Sequence, residues 1–99
     1  MPTSWYQAIP LILHYVEREQ PQSILDVGVG FGKYGFLMRE ILEIPFERYH
    51  KQQWKIRIDG VEAFEAYMTP VHDYVYDRIY YGNVVELVDH LPSYDVVLL

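Results

Sequence analysis

Apolar residues recur at helical spacing in the first part of the chain. Trp5, Ile9, Ile12 and Val16 follow one another at intervals of four, three and four residues. This spacing places all four side chains on one face of a helix. The pattern therefore predicts an amphipathic helix over residues 4–20.

The start of this first helix admits two interpretations. Ser4 and Gln7 have the spacing of a capping box, which favours a start at Ser4. Pro10 instead either kinks the helix or marks a later start, because proline lacks the N–H that a helix interior needs. Pro21 closes the element in both interpretations.

Shorter apolar segments, bounded by turn residues, predict β-strands further along the chain. These segments occupy residues 23–27, 54–62, 79–82 and 94–99. Helical patterns separate them. The first is a stripe of Tyr34, Leu37, Ile41 and Leu42 that ends at Pro45. The second is a helix that starts at Thr69 before Pro70 and continues to Arg78, and the third is a short helix that Asn83 precedes and that runs to Leu91.

The alternation of strands and helices predicts the fold class. Strands that are apolar on both faces are typical of a parallel sheet with helices on each side, which is an α/β fold. The chain has 99 residues, of which 51% are hydrophobic, and this length suits one domain over residues 1–99.

Composition excludes several classes of protein. Apolar runs are too short for a membrane span, and a charged fraction of 22% is not that of a disordered chain. The chain has no cysteine, which excludes disulfides and thiolate metal sites and fits a cytoplasmic protein. A formal charge of −6 makes a nucleic-acid partner unlikely for this segment.

No metal site is predicted from the histidines. His14, His50, His72 and His90 lie on different predicted elements and lack the spacing of metal ligands. We expect them to be ordinary surface or half-buried residues.

Glycine occupies every second position after the first predicted strand, at Gly28, Gly30 and Gly32. A strand that runs into such a turn lets a ligand approach the backbone, because glycine has no Cβ and tolerates positive φ. The helix that starts at Lys33 would direct free N–H groups toward the same place. The stretch therefore predicts a small-molecule site built from main chain, with Asp26 as its fixed charge.

Several classes of glycine loop can be compared with this stretch. A P-loop has four residues between its glycines and a Ser or Thr after the lysine, whereas Gly28 and Gly32 are separated by three residues. The dinucleotide pattern G-x-G-x-x-G fits Gly30, Gly32 and Gly35, although these glycines begin four residues past Asp26. A glycine-rich turn without a ligand is the remaining alternative.

The series Asp26, Gly28, Gly30 and Gly32 resembles the first motif of the class I S-adenosylmethionine-dependent methyltransferases. This resemblance implies a Rossmann-like parallel sheet with strand order 3-2-1-4 for the part present. It also implies that the glycine loop holds the methionine part of the cofactor S-adenosyl-L-methionine and that Asp26 favours its ammonium group. Aromatic rings near the loop, such as Phe31 or Tyr34, are candidates to contact the sulfonium, although a helical tyrosine is more often a core residue.

The segment from Asp59 to Glu62 resembles the second motif of the same family. A carboxylate at the end of the strand beside the glycine loop can accept hydrogen bonds from both ribose hydroxyls, and the resemblance gives this role to Glu62. Ala63 and Phe64 would then line the adenine pocket. The alternative is that Glu62 is a solvated residue at a strand end.

Asn83 stands where family members place an adenine contact, commonly a Gly-Asp pair, with Gly82 before it and Val84 after it. Its side-chain carbonyl can accept a hydrogen bond from an adenine amino group. The alternative is that Asn83 caps the helix that follows. Both roles are compatible.

Residues 93–99 resemble the fourth strand of the family, so the resemblance covers nearly the whole chain but only the cofactor-binding half of the fold. We expect an incomplete S-adenosylmethionine-binding domain whose methyl acceptor is unknown, and a methyl transfer by in-line displacement. The unpaired outer edge of a fourth strand that ends at Leu99 predicts a homodimer. An NAD(P)- or flavin-binding oxidoreductase domain and a non-catalytic interaction module stay open as alternatives.

Overall fold

The structure is a computed structural model that describes residues 5–99. Its eight main elements are α1 (Ile9–Glu19), β1 (Ser23–Val27), α2 (Lys33–Leu42), β2 (Arg57–Glu62), α3 (Pro70–Val75), β3 (Arg78–Tyr81), α4 (Val84–Leu87) and β4 (Val96–Leu98). Short 3-10 turns connect several of them.

The four strands form one parallel sheet in the order β3-β2-β1-β4. This confirms the predicted α/β fold class and the predicted strand order 3-2-1-4. Val27, the last residue of β1, pairs with Val61 of β2, so the two strands reach their carboxyl ends side by side. β4 pairs with β1 and forms one edge of the sheet within residues 5–99, and pairing of two copies along that edge stays a prediction.

One face of the sheet carries the main core. Ile24 and Ile58 are fully buried there and pack with Val16 of α1, Met38 of α2 and Val75 of α3. Burying side chains of this size stabilises the fold by about 1.5–3 kcal/mol each.

Within the described part of the chain there is no helix whose length and apolar character together would let it cross a membrane.

The first helix begins at Ile9, with Pro10 in its first turn. This confirms the later start, because proline is tolerated where the N–H would have no partner within the helix. Ser4, the alternative cap, lies outside the described residues. The helix ends at Glu19, and Gln20 adopts a left-handed conformation with φ of 47°.

Two strands are shorter than the sequence pattern predicts. β2 begins at Arg57 rather than Trp54, because the N–H groups of Lys55 and Ile56 donate to the buried Glu43 carboxylate instead of entering the sheet. β4 begins at Val96, since the N–H of Asp95 donates to the Ser23 side chain.

The helices after β2 also differ from prediction in their ends. α3 ends at Val75, so Arg78 belongs to β3 and not to the helix. α4 ends at Leu87, and a 3-10 turn over Val88–His90 replaces the last predicted helical turn.

A buried cluster of charged side chains stabilises the connection between α2 and β2. Arg39 donates to Glu43 at 3.2 Å and to the carbonyl oxygens of Val75 (2.9 Å) and Ile56 (2.6 Å). Arg48 reaches the same Glu43 carboxylate from within the connection. Because each charge is paired, the cluster compensates the desolvation that buried charges incur.

Candidate functional site

A cavity of about 250 Å³ opens where β1, β2 and β3 reach their carboxyl ends. This edge of an open parallel sheet is where α/β proteins commonly bind ligands. The lining residues come from the ends of those three strands and the turns after them: Val27, Gly28, Val61, Glu62, Ala63, Gly82, Asn83 and Val84. The structure thus brings together Gly28, Glu62, Ala63, Asn83 and Val84 of the predicted site, while Asp26, Gly30 and Gly32 lie outside this lining.

The glycine loop needs its glycines for backbone conformation. Gly28, Gly30 and Gly32 have φ of 78°, 56° and 90°, in the left-handed region that side chains rarely adopt. The N–H of Gly28 donates to the carbonyl of Val61 at 2.8 Å, which ties the loop to β2. A Cβ at Gly28 would meet no atom within 4 Å, so this position faces open space at the cavity.

Glu62 is buried, with 4% of its surface exposed. Its Oε1 accepts from the N–H of Gly30 at 3.2 Å, and its Oε2 accepts from the N–H of Phe64 at 3.1 Å. The alternative of a solvated strand-end residue is therefore wrong. The carboxylate both lines the cavity and braces the glycine loop.

Asp26 is a buried carboxylate at the end of β1, and Tyr76 donates to its Oδ2 at 2.6 Å. Burial raises the pKa of Asp26 to about 6, the Tyr76 hydrogen bond opposes this rise, and the charge of Glu62 adds to it. A pKa raised this far corresponds to about 3 kcal/mol that the folded state loses when the group ionises. An ionised Asp26 is therefore a negative charge that a cationic ligand would stabilise.

His72 is a buried side chain and not a surface or half-buried one, so the expectation for this histidine is wrong. Its Nε2 lies 2.7 Å from the carbonyl oxygen of Gly30, at the centre of the glycine loop. Thr69 and His72 have capping-box spacing, with histidine in place of the usual glutamate or glutamine. That spacing was the available signal in the sequence, but the contact with Gly30 spans 42 residues and has no local signature.

Asn83 caps α4, since its Oδ1 accepts from the N–H of Val85 at 2.8 Å. The capping alternative is thus confirmed. Asn83 also lines the cavity, and a carbonyl oxygen has a second lone pair that a ligand can use. The two roles stay compatible.

The aromatic residues near the loop divide into a core residue and exposed ones. Tyr34 is buried, as expected of a helical tyrosine, and its hydroxyl has no hydrogen-bond partner among residues 5–99. Phe31 and Phe64 are each more than half exposed, and Phe64 lies 5.4 Å from the Tyr67 ring, between ring centres.

Gly35 serves packing in this fold. An added Cβ would come within 2.5 Å of the Tyr76 ring and 2.7 Å of Val75, so only glycine lets the start of α2 approach the segment after α3.

Among residues 5–99 there is no group of three or more His, Asp or Glu side chains arranged to hold a metal ion.

Comparison with solved structures finds several chains that are similar to this one. A crystal structure of a Staphylococcus aureus protein assigned as a caffeoyl-CoA O-methyltransferase matches with a TM-score of 0.68 at 18% sequence identity. The match covers 97% of this chain and 45% of that chain, so the chain spans less than half the length of this relative. No family model and no curated protein matches. The likeness shows a shared Rossmann-like fold.

Proposed function

We propose that this chain is the cofactor-binding portion of an S-adenosylmethionine-dependent methyltransferase. The observation that carries the proposal is the cavity at the carboxyl edge of the sheet, to which Gly28, Glu62 and Asn83 contribute in the order the family motifs require. The methyltransferase assignment of the structural relative supports the same conclusion.

The cavity offers suitable groups for an adenosine. Its walls include Val27, Val61, Ala63 and Val84, whose apolar surfaces suit the faces of an adenine ring. An ionised carboxylate has about four lone-pair sites. Glu62 can therefore accept from ribose hydroxyls while it keeps its bonds to Gly30 and Phe64.

The methionine part of the cofactor would lie over the glycine loop. The loop leads into α2, whose N-terminal end favours a carboxylate through its free N–H groups and its dipole. Asp26 would favour the ammonium group, directly or through water, because a nearby positive charge offsets the cost of its buried negative charge.

When bound, S-adenosylmethionine supplies an activated methyl group on a sulfonium. An acceptor nucleophile would take this methyl by in-line displacement, with the sulfur leaving as the thioether of S-adenosylhomocysteine, and the residues of this chain would contribute orientation. The lack of cysteine in these 99 residues fits a reducing compartment, and a cytoplasmic location is part of the proposal.

Calorimetry with S-adenosylhomocysteine, the demethylated product, tests the proposal on the full chain. We expect binding by the wild type and a clear loss in Glu62→Ala, which removes the ribose acceptor. Ala63→Trp should block the cavity and abolish binding, whereas Ala66→Trp is the matched control because Ala66 is exposed and is not a lining residue. A folded wild type that binds neither this ligand nor S-adenosylmethionine would contradict the proposal.

An NAD-binding domain is the second candidate, because Gly35 packs as closely as the third glycine of the dinucleotide pattern does. A thermal-shift competition distinguishes the two. NAD should neither raise the melting temperature nor displace S-adenosylhomocysteine if the proposed function is correct.

A further inference from the structure

Two buried side chains from distant parts of the chain hold the peptide groups on both sides of Gly30. The N–H of Gly30 donates to Glu62 Oε1 at 3.2 Å, and its carbonyl oxygen lies 2.7 Å from His72 Nε2. Glu62 and His72 are 4% and 1% exposed. We name this arrangement of Gly30, Glu62 and His72 the Gly30 clamp.

The hydrogen bonds of His72 define its tautomer. The N–H of Thr69 lies 2.9 Å from Nδ1, and a backbone N–H can only donate. Nδ1 is therefore the acceptor, which leaves the proton on Nε2, where it is donated to the Gly30 carbonyl. Each ring nitrogen has a defined partner, so His72 connects the start of α3 to the glycine loop.

The residue after α3 makes a second contact at the same end of β1. Tyr76 stacks on His72 with 6.3 Å between ring centres, and its hydroxyl donates to Asp26 at 2.6 Å. The α3 segment thus touches the loop region at Asp26 and at Gly30. Neither His72 nor Tyr76 is a lining residue of the cavity.

We propose that His72 is a positioning residue that preorganises the glycine loop for the cofactor by fixing the Gly30 carbonyl. This inference rests on the proposed function. A loop held in one conformation before binding loses less conformational freedom on binding, and that saving appears as affinity. Gly30 adopts a left-handed conformation, with φ of 56°, and glycine has more backbone freedom to lose than any other residue.

Two substitutions separate positioning of the loop from capping of α3. His72→Gln keeps a donor at the place of Nε2, and its side-chain oxygen is the usual capping-box acceptor for the N–H of Thr69. His72→Asn keeps an acceptor at the place of Nδ1 and loses the donor to Gly30. We expect His72→Asn to weaken S-adenosylhomocysteine binding about tenfold, the scale of one lost hydrogen bond, and His72→Gln to bind within about threefold of the wild type.

The melting temperature of each variant is the accompanying measurement. A residue that only caps α3 predicts equal stability and equal affinity in the two variants, because asparagine and glutamine can each offer an acceptor to the N–H of Thr69. Equal affinity in both variants would overturn the proposal, and so would weaker binding by His72→Gln than by His72→Asn.

Measurements without any ligand keep the inference distinct from the proposed function. In the wild type, nitrogen-15 NMR should find His72 with its proton on Nε2, and hydrogen exchange at the glycine-loop amides should be faster in His72→Asn than in His72→Gln. A proton on Nδ1, or equal exchange in the two variants, would overturn the clamp even if the adenosyl ligand binds. A protected loop in a protein that binds no adenosyl ligand would support the clamp and contradict the proposed function.

Discussion

The Tyr76 hydroxyl donates a hydrogen bond to the Asp26 carboxylate across a sequence separation of 50 residues, with 2.6 Å between the two oxygens. Burial and the neighbouring negative charge raise the pKa of Tyr76, so its hydroxyl stays protonated and acts as the donor. The bond lowers the pKa of Asp26 against the effect of burial. A residue that follows α3 therefore helps to set the charge of the acid before the glycine loop.

Tyr76→Phe removes this donor and leaves a buried carboxylate with one partner fewer. We expect the free energy of unfolding at neutral pH to fall by about 1–3 kcal/mol, the range for leaving a buried polar group unsatisfied. Urea denaturation measures the change. Tyr74→Phe is the control because Tyr74 is half exposed and its ring keeps its contact with Trp54. Equal losses in the two variants would contradict a specific role for the Tyr76 hydroxyl.

Asp26→Asn should reveal the cost of the ionised carboxylate. The pKa of Asp26 rises from 3.8 to about 6 on folding, so the protonated form stabilises the folded state. That contribution is fully present below the unfolded pKa and is lost as the pH rises through about 6. The Asn variant cannot ionise, and its stability relative to the wild type should increase by about 2–3 kcal/mol between about pH 4 and about pH 7.5.

The measurement is urea unfolding of both proteins across that pH range. A stability difference that stays flat would contradict the raised pKa of Asp26. Under the proposed function, the same ionisation should strengthen binding of the cationic S-adenosylmethionine as the pH rises through about 6, and this pH dependence should be absent in Asp26→Asn.

The fold was predictable because its signals are local. Apolar runs, Pro45 and the Thr69-Pro70 pair mark elements within a few residues of themselves, and the alternation of strands and helices leaves few topologies. The cavity residues were predictable for the same reason, since Gly28, Glu62 and Asn83 each stand where a strand ends.

The roles of His72 and Tyr76 could not be predicted in this way. Their contacts join segments 42 and 50 residues apart, and helical periodicity carries no information about which loop a buried polar group will meet. The start of β2 was missed for a related reason, because Glu43 on the far side of a long connection takes the N–H groups of the preceding residues.

Gly60→Ala should displace the glycine loop from its contact with β2. An added Cβ would collide with the side chain of Val29 in the glycine loop, and a β-branched side chain has few alternative rotamers that would relieve the contact. We expect a loss of about 1–3 kcal/mol in the free energy of unfolding, the usual range for overpacking a core. A strand glycine without this contact would instead gain from the alanine.

The double variant Val29→Ala with Gly60→Ala supplies the check. Val29→Ala removes the methyl group that the new Cβ meets, so the double variant should be more stable than the sum of the two single effects predicts. Additive losses would show that the cost of Gly60→Ala arises elsewhere.

Three substitutions at Asn83 distinguish its cap from its contact with the ligand. Asn83→Ala loses the bond to the Val85 N–H and should cost about 1 kcal/mol of stability, the usual value of a helix cap. Asn83→Ser keeps a capping oxygen on a shorter side chain and should restore that stability. Asn83→Asp keeps both the cap and the reach, and adds a charged acceptor that strengthens a hydrogen bond from an adenine amino group.

If Asn83 contacts adenine, S-adenosylhomocysteine affinity should be highest in Asn83→Asp and lower in Asn83→Ser than in the wild type. These two variants and the wild type all keep the cap. If Asn83 only caps α4, affinity should follow stability, and Asn83→Ser should bind as the wild type does. Calorimetry and thermal denaturation on the same samples separate these outcomes, because serine keeps a capping oxygen but lacks the reach of the asparagine side chain toward the cavity.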